Sequence, residues 1–436
     1  MRTRLRTALL LAIAGVLTAG TVAPASASEA SASTWSPDLS RGEAAGVTMR
    51  AGAAELDPQQ AHLAPQDATT GAGAMAEGGP DAAPAAMVPT GLLTLDPQTL
   101  DRPTDRVESA LVADLPPGST ATVDVRGRRA TGNWTEWIPA TPVTGTATEG
   151  AATGGAVSAG TVELPEPATE VQSRLVLTGS PGAEPRVRDV RLTAHPASAS
   201  SMTEARKGGA EGAVLSYRVF ATREGLVGGT TANGHQIVER DHFVALPSRR
   251  ALSPRNTSDY SVKVCAPNGR CAFAPVWDIG PWNTRDDYWN PGSVRQEWGN
   301  LPQGVPQAQA AYRDNFNGGK DQFGRRVANP AGIDLGDGVF WDALGLTDNS
   351  MVTVDYLWTG SVRLSKVSIE SGAVDVLAAP RAGAEVVGIA ADRADVPVRC
   401  ALGSGPGSWL QIGDGQFVTA GAVPNAGPIE ACTGAG

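Results

Sequence analysis

Short alternating apolar runs constrain this chain more than any other feature. Ala121, Val123 and Val125 form one run, Val171, Leu175 and Leu177 a second, and Val187, Val190 and Leu192 a third. Such runs read as half-buried strands. Breaks rich in Gly and Pro separate them, and with 52 Gly and 32 Pro in 436 residues the chain reads as mainly β. At roughly 100 to 200 residues per domain, the length allows two to four domains.

The N-terminus reads as a secretory signal over residues 1–27. Arg2, Arg4 and Arg6 precede an apolar run from Ala8 to Leu17, and Ala25-Ser26-Ala27 offers a cleavage point. That run is too short to span a bilayer. No Cys follows the cut, so neither a membrane anchor nor a lipid anchor is expected and the protein should work outside the cell. Losing the three arginines leaves 32 Lys and Arg against 45 Asp and Glu, a formal charge of −13. Nucleic acid is therefore excluded as a partner, and the Arg249-Arg250 pair with Arg255 reads as a solvated loop.

Residues 28–88 lack periodicity and read as a disordered tether. Residues 90–197 read as a β-sandwich, which through WTEW, EVQSRLVL and RVRDVRLTA resembles a galactose-binding-type carbohydrate-binding module, and 198–212 as a linker. A central domain follows over 213–360, and short strands over 370–432 suggest a small barrel. Trp134 and Trp137 in NWTEW share one strand face, either as a core pair or as a sugar-stacking platform. Of the 22 Phe, Trp and Tyr residues, 17 lie between Val214 and Gly360, a stretch with 14 basic and 15 acidic residues. A neutral, aromatic-rich domain suits a weakly charged ligand such as a glycan.

The four cysteines of a secreted chain should be oxidised. Pro267-Asn268-Gly269 makes a hairpin loop that sets Cys265 opposite Cys271, which leaves Cys400 to pair with Cys432. With four histidines in the whole chain and no CxxC spacing, no metal site is expected. No cofactor is expected either.

The central domain carries TANG at Thr231–Gly234, Leu246-Pro247, DIGPW at Asp278–Trp282 and GIDLG at Gly332–Gly336, followed by a short helical run from Val339 to Leu344 stopped by Gly345. In this order the motifs resemble the six-stranded double-psi β-barrel of the rare lipoprotein A family of cell-wall proteins and of bacterial expansins. The tail, with SWLQIG and FVTAGAV, is similar to bacterial Src-homology-like wall-binding barrels. The resemblance implies a cell-wall polysaccharide, peptidoglycan, as partner; a monomer is the expected form. It implies catalytic roles for Asp334 and Asp278 at strand ends facing one groove, with Thr231 holding Asp334 or a sugar hydroxyl.

The chain departs from that pattern in two places. About fifty residues are inserted over 283–331, carrying Tyr288, Trp289 and Trp298, and these with Trp282 and His242 are the candidate substrate-binding side chains. The insertion is expected to cover or extend the groove. His242 stands one residue too early for the histidine of the lytic members, a slip that turns a strand residue to the other face. Three readings stay open. The groove belongs to a lytic-transglycosylase-like or glycosidase-like enzyme, to an expansin-like loosening protein, or to a non-catalytic extracellular scaffold.

Overall fold

A computed structural model describes residues 31–65, 87–142, 156–198, 200–202, 213–405 and 407–433. The signal segment 1–27, residues 66–86 of the 28–88 segment and most of the 198–212 linker lie outside the described residues.

The protein is mainly β, as its alternating runs require. Its N-terminal sheet is built on Gln98–Asp114 and Ala156–Thr178, with Arg186–Pro196 on the far side of the former. The 23-residue strand Ala156–Thr178 changes partners along its length. Before its bulge at Glu163–Ala168 it pairs with Arg106–Ala113, and after it with Thr120–Gly127 and Thr90–Thr94. Pro165 and Pro167 sit in that bulge, where a residue without an N–H interrupts the ladder at no further cost.

The tether expectation is corrected for residues 33–65. Ser33–Trp35 pairs with Leu192–Ala194, Glu43–Ala45 with Leu92–Thr94, and His62–Pro65 with Met87–Thr90. Leu39, Val47, Ala54 and Leu56 join the sandwich core. These segments are too polar to fold alone, but a preformed sheet edge satisfies their backbone groups and leaves few apolar side chains to bury.

The central domain is a closed six-stranded barrel. Its strands are β1 (Leu215–Glu224), β2 (Val244–Leu246), β3 (Ser261–Cys265), β4 (Cys271–Ile279), β5 (Ala331–Gly336) and β6 (Ser350–Tyr356). The order around the barrel is β2-β5-β1-β6-β3-β4, closed by β4 on β2, with parallel ladders between β1 and β5 and between β2 and β4. Gly338–Ala343 forms a helical turn stopped at Gly345, whose φ of 65° is open to glycine at little cost. Asp337 does not cap that turn; it pairs with Arg223 at 2.7 Å.

The C-terminal strands curl into a small barrel-like unit around Val376, Ala390, Leu410, Ile412 and Val418. It is continuous with the central barrel, because Cys271–Phe273 pairs in parallel with Gly388–Ala390. At Gly388 a Cβ would stand 1.9 Å from the Cys271 carbonyl oxygen, so only glycine allows this junction. Disulfides join Cys265 to Cys271 and Cys400 to Cys432, and point to an oxidising compartment. No helix among the described residues is long and apolar enough to cross a membrane.

The sandwich and the barrel share a core. Trp137, fully buried, packs with barrel residues and gives its indole N–H to the Leu252 carbonyl at 3.1 Å. The Arg126 guanidinium lies over the rings of Trp134 and Trp137 at 4.4 and 4.2 Å and pairs with Asp259. Of the two readings of NWTEW, the core pair is the one the structure takes, but not on one strand face. The two residues are three apart and residues 135–137 lie outside any strand, so a turn of the chain brings both rings inward.

Candidate functional site

The register of four neighbouring strands assembles the site. On β2, Ala245 is the pairing partner of Asp278 on β4 and of Asp334 on β5, while Asp334 is the register partner of Thr222 on β1. Paired residues on adjacent strands project to the same face, so Asp278, Ala245, Asp334 and Thr222 form one row across the barrel. The methyl of Ala245 leaves room between the two carboxylates. Glu224 lies two residues beyond Thr222 on β1 and, by strand alternation, projects to that same face. Its register partner is Gly336, which puts no side chain beside it.

A pocket of about 380 Å³ opens over this row, lined by Glu224, Asp278, Asp334, Trp282, His62 and Arg325 among others. Asp278 is fixed by the main chain. Its Oδ1 accepts from the Ala232 and Ile279 N–H groups, each at 2.8 Å. The Asp334 carboxylate accepts the Thr222 hydroxyl. Asp334 keeps an opening onto the pocket but is otherwise enclosed by protein, and this burial pushes its carboxyl up to about 7. The Thr222 hydrogen bond pulls the other way, and the nearby Asp278 charge adds to the rise. Glu224 is held far above the ordinary carboxylate range, first by burial and then by the charges of Asp278 and Asp334. Among the described residues, no group of three or more His, Cys, Asp or Glu is placed to hold a metal ion.

Trp282 lies on the pocket wall in the left-handed region, at φ 63°. A bulky residue there costs about 1 to 3 kcal/mol, offset by the contacts that hold it. Its indole N–H donates to Asn329 at 3.1 Å, and Arg325 donates to its carbonyl at 2.6 Å.

The structure redistributes the other candidates. Thr231 does not touch Asp334. Its hydroxyl donates to Asn233 at 2.7 Å and accepts the His235 N–H at 3.1 Å, closing the TANG turn, and Thr222 takes the role expected of it. Tyr288 and Trp289 are both fully buried and form core with Tyr356 and Trp358 rather than a groove surface. The Tyr288 hydroxyl donates to the Gly332 carbonyl and accepts from Tyr356, while the Trp289 indole donates to Glu136 of the sandwich at 2.6 Å. Trp298 packs edge-on against Phe316, outside the pocket lining. His242 is also outside it; Phe243 is buried in its place, and burial lowers the imidazole's affinity for a proton.

The insertion is anchored by buried ion pairs and extends the pocket with Asn283, Thr284 and Arg325 instead of covering it with an aromatic flap. Asp286 accepts from Arg295 and from the Gln307 N–H at the start of the helix Gln307–Asp314, and Asp287 accepts from Arg250 at 2.8 Å. Arg250 is thus buried and ion-paired, which corrects the solvated-loop expectation for that residue.

Residues 215–355 match the profile of a family described as Domain of unknown function (DUF8814). The match runs from the first residue of β1 to the penultimate residue of β6, so barrel and insertion fall within it together. No curated protein matches the chain. Among solved structures, the K1 cleaved adhesin domain of Lys-gingipain from Porphyromonas gingivalis W83 is similar at 16% identity and a TM-score of 0.17, over 37% of this chain and 97% of that one. Nothing about the present chain follows from so loose a superposition.

Two pocket residues lie outside the candidates named from the sequence, Glu224 and His62. Glu224 follows Thr222 at the two-residue spacing of a strand face. His62, whose Nδ1 is 3.9 Å from Asp278 Oδ1, comes from the supposed tether. The N-terminal unit therefore contributes a wall of the pocket.

Proposed function

We propose that this is a secreted protein that binds and remodels cell-wall glycan, peptidoglycan, through the carboxylate pocket, with Asp334 as acid/base. In this reading the barrel is of the double-psi class found in rare lipoprotein A and expansin-like proteins, and the activity is of lytic-transglycosylase-like or glycosidase-like type. The observation that carries it is the row Asp278, Ala245, Asp334 and Thr222, which sets two carboxylates on one barrel face beside the Trp282 wall. Breaking a glycosidic bond calls for a carboxyl that can give a proton and a second that can take one. A group titrating near 7 serves that exchange at neutral pH.

Burial of Tyr288 and Trp289 narrows the mode of binding. In place of a broad aromatic groove, a short segment of glycan would enter a compact pocket against Trp282. The test is incubation of the mature protein with purified sacculi. Wild type should pellet with them and release reducing or anhydro sugars, while Asp334→Asn should pellet without release. Failure of wild type to pellet would remove the wall as partner.

A further inference from the structure

We infer that Glu224 is the proton donor of the pocket, with Asp334 acting opposite it as the base. The inference rests on the glycan-cleaving reading for its substrate, and on the arrangement of the three carboxyl groups for the assignment of roles.

The hydrogen-bond pattern separates the three. An ionised carboxylate only accepts, whereas a protonated one also donates. Asp278 accepts two main-chain N–H groups through Oδ1, and Asp334 accepts the Thr222 hydroxyl. Glu224 lines the same pocket as both aspartates, and carboxyl groups crowded into one buried site do not all ionise. With Asp278 and Asp334 each held by donors, the proton falls to Glu224. The Oε2 atom of Glu224 is shielded from solvent and meets no hydrogen-bond partner among the described residues. No main-chain donor or cation claims it.

The charged groups facing Glu224 do not neutralise it. Arg223 is committed to Asp337 at 2.7 Å, and Arg325 to Asp321 and the Trp282 carbonyl, each at 2.6 Å. His62 stands 3.9 Å from Asp278. Three ionised carboxylates in about 380 Å³ would repel one another strongly, and protonating one relieves this. Burial and the two aspartates place the proton on Glu224 and keep it there through neutral pH. Pairs of carboxyl groups whose environments drive their protonation apart are how acid and base are told apart in such sites.

The step then balances. Glu224 gives its proton to the bridging glycosidic oxygen as the carbon–oxygen bond breaks and its electron pair stays on that oxygen. Water supplies the new bond to the freed carbon, and ionised Asp334 takes the proton that water loses. Exchange with solvent returns a proton to Glu224 and removes one from Asp334.

Two measurements test this on the full-length mature protein. With carboxyl-labelled glutamate, the carbon signal that disappears in Glu224→Gln should keep its protonated shift up to pH 8, and its midpoint should fall in Asp278→Asn. In the sacculus assay, Glu224→Gln should pellet like wild type, keep its Tm within a few degrees and release sugar about 10² to 10⁴ times more slowly. Glu224→Asp, which keeps the carboxyl but shortens its reach, should lie between. A Glu224 signal that titrates in the ordinary carboxylate range overturns the inference, as does wild-type release by Glu224→Gln. If wild type releases no sugar, the glycan-cleaving reading fails, and the titration alone still decides whether Glu224 holds the proton.

Discussion

Thr222 and Asp334 are register partners in the parallel ladder between β1 and β5, and the hydroxyl of the first donates to the carboxylate of the second. A hydrogen bond to a charged group is worth about 1.5 to 3 kcal/mol, and one pH unit corresponds to about 1.4 kcal/mol. Removing the hydroxyl with Thr222→Val should therefore raise the Asp334 midpoint above its value of about 7 by roughly one unit. The rising limb of the pH profile for sugar release should move to alkaline pH by that amount, and Thr222→Ser should restore it. An unmoved limb would mean that the titrating group is not Asp334.

Asp334 also ties stability to pH. Its carboxyl is raised from an ordinary value of 3.8 to about 7 in the folded protein. The folded state thus holds the proton more tightly than the unfolded state. Stability from this group is fully present below about pH 4 and lost as pH rises through 7. The full shift sets a ceiling of about 4 kcal/mol, and the opening onto the pocket lowers the expected effect to about 1 to 3 kcal/mol. Asp334→Asn should therefore gain stability over wild type at pH 8 relative to pH 4 in urea unfolding. A gain that is larger at pH 4 would contradict the burial account.

The aromatic candidates divide by what they touch. Trp289→Ala should cost about 3 to 5 kcal/mol in unfolding free energy, because it empties a closed core site and removes one of the two indole donors to Glu136 Oε1. Trp282→Gly should change stability by about 1 kcal/mol at most, since relief of its left-handed backbone offsets lost contacts, and should weaken pelleting with sacculi. Equal losses of Tm in the two variants would place Trp282 in the core as well.

How much of this was legible in the sequence depends on the kind of signal. Asp278 and Asp334 could be found because TANG, DIGPW and GIDLG mark strand ends that pair through Ala245, a local pattern with a fixed register. The slip at His242 was legible for the same reason: alternation sends Phe243 inward. Tyr288 and Trp289 were misread because aromatic richness does not distinguish a groove from a core. What decides is the long-range packing against Tyr356, Trp358 and Glu136. His62 was lost because its segment has no core of its own and becomes ordered only as an added strand beside Met87–Thr94. Glu224 was passed over because its spacing from Thr222 means little until β1 is known to lie next to β5.

The tail disulfide offers a separate check. Cys400 and Cys432 close a 32-residue separation, and in the chain-entropy model losing that link costs about 3 to 4 kcal/mol. The double substitution to Ser should lower the tail's stability by about that amount, read as faster limited proteolysis after Gly403, while the barrel's unfolding changes little. Unfolding of tail and barrel together would mean that the junction at Gly388 couples them more tightly than the disulfide does.

We propose above that the row of carboxyl groups across β1, β2, β4 and β5 acts chemically on wall glycan. The most direct measurement is the rate of soluble sugar release from purified sacculi by wild type and by Asp334→Asn, with pelleting followed in the same tubes. Wild type should release sugar, the variant should lose about 10² to 10⁴ in rate, and both should pellet equally. Pelleting without any release by wild type would contradict the catalytic claim and leave a binding protein in its place.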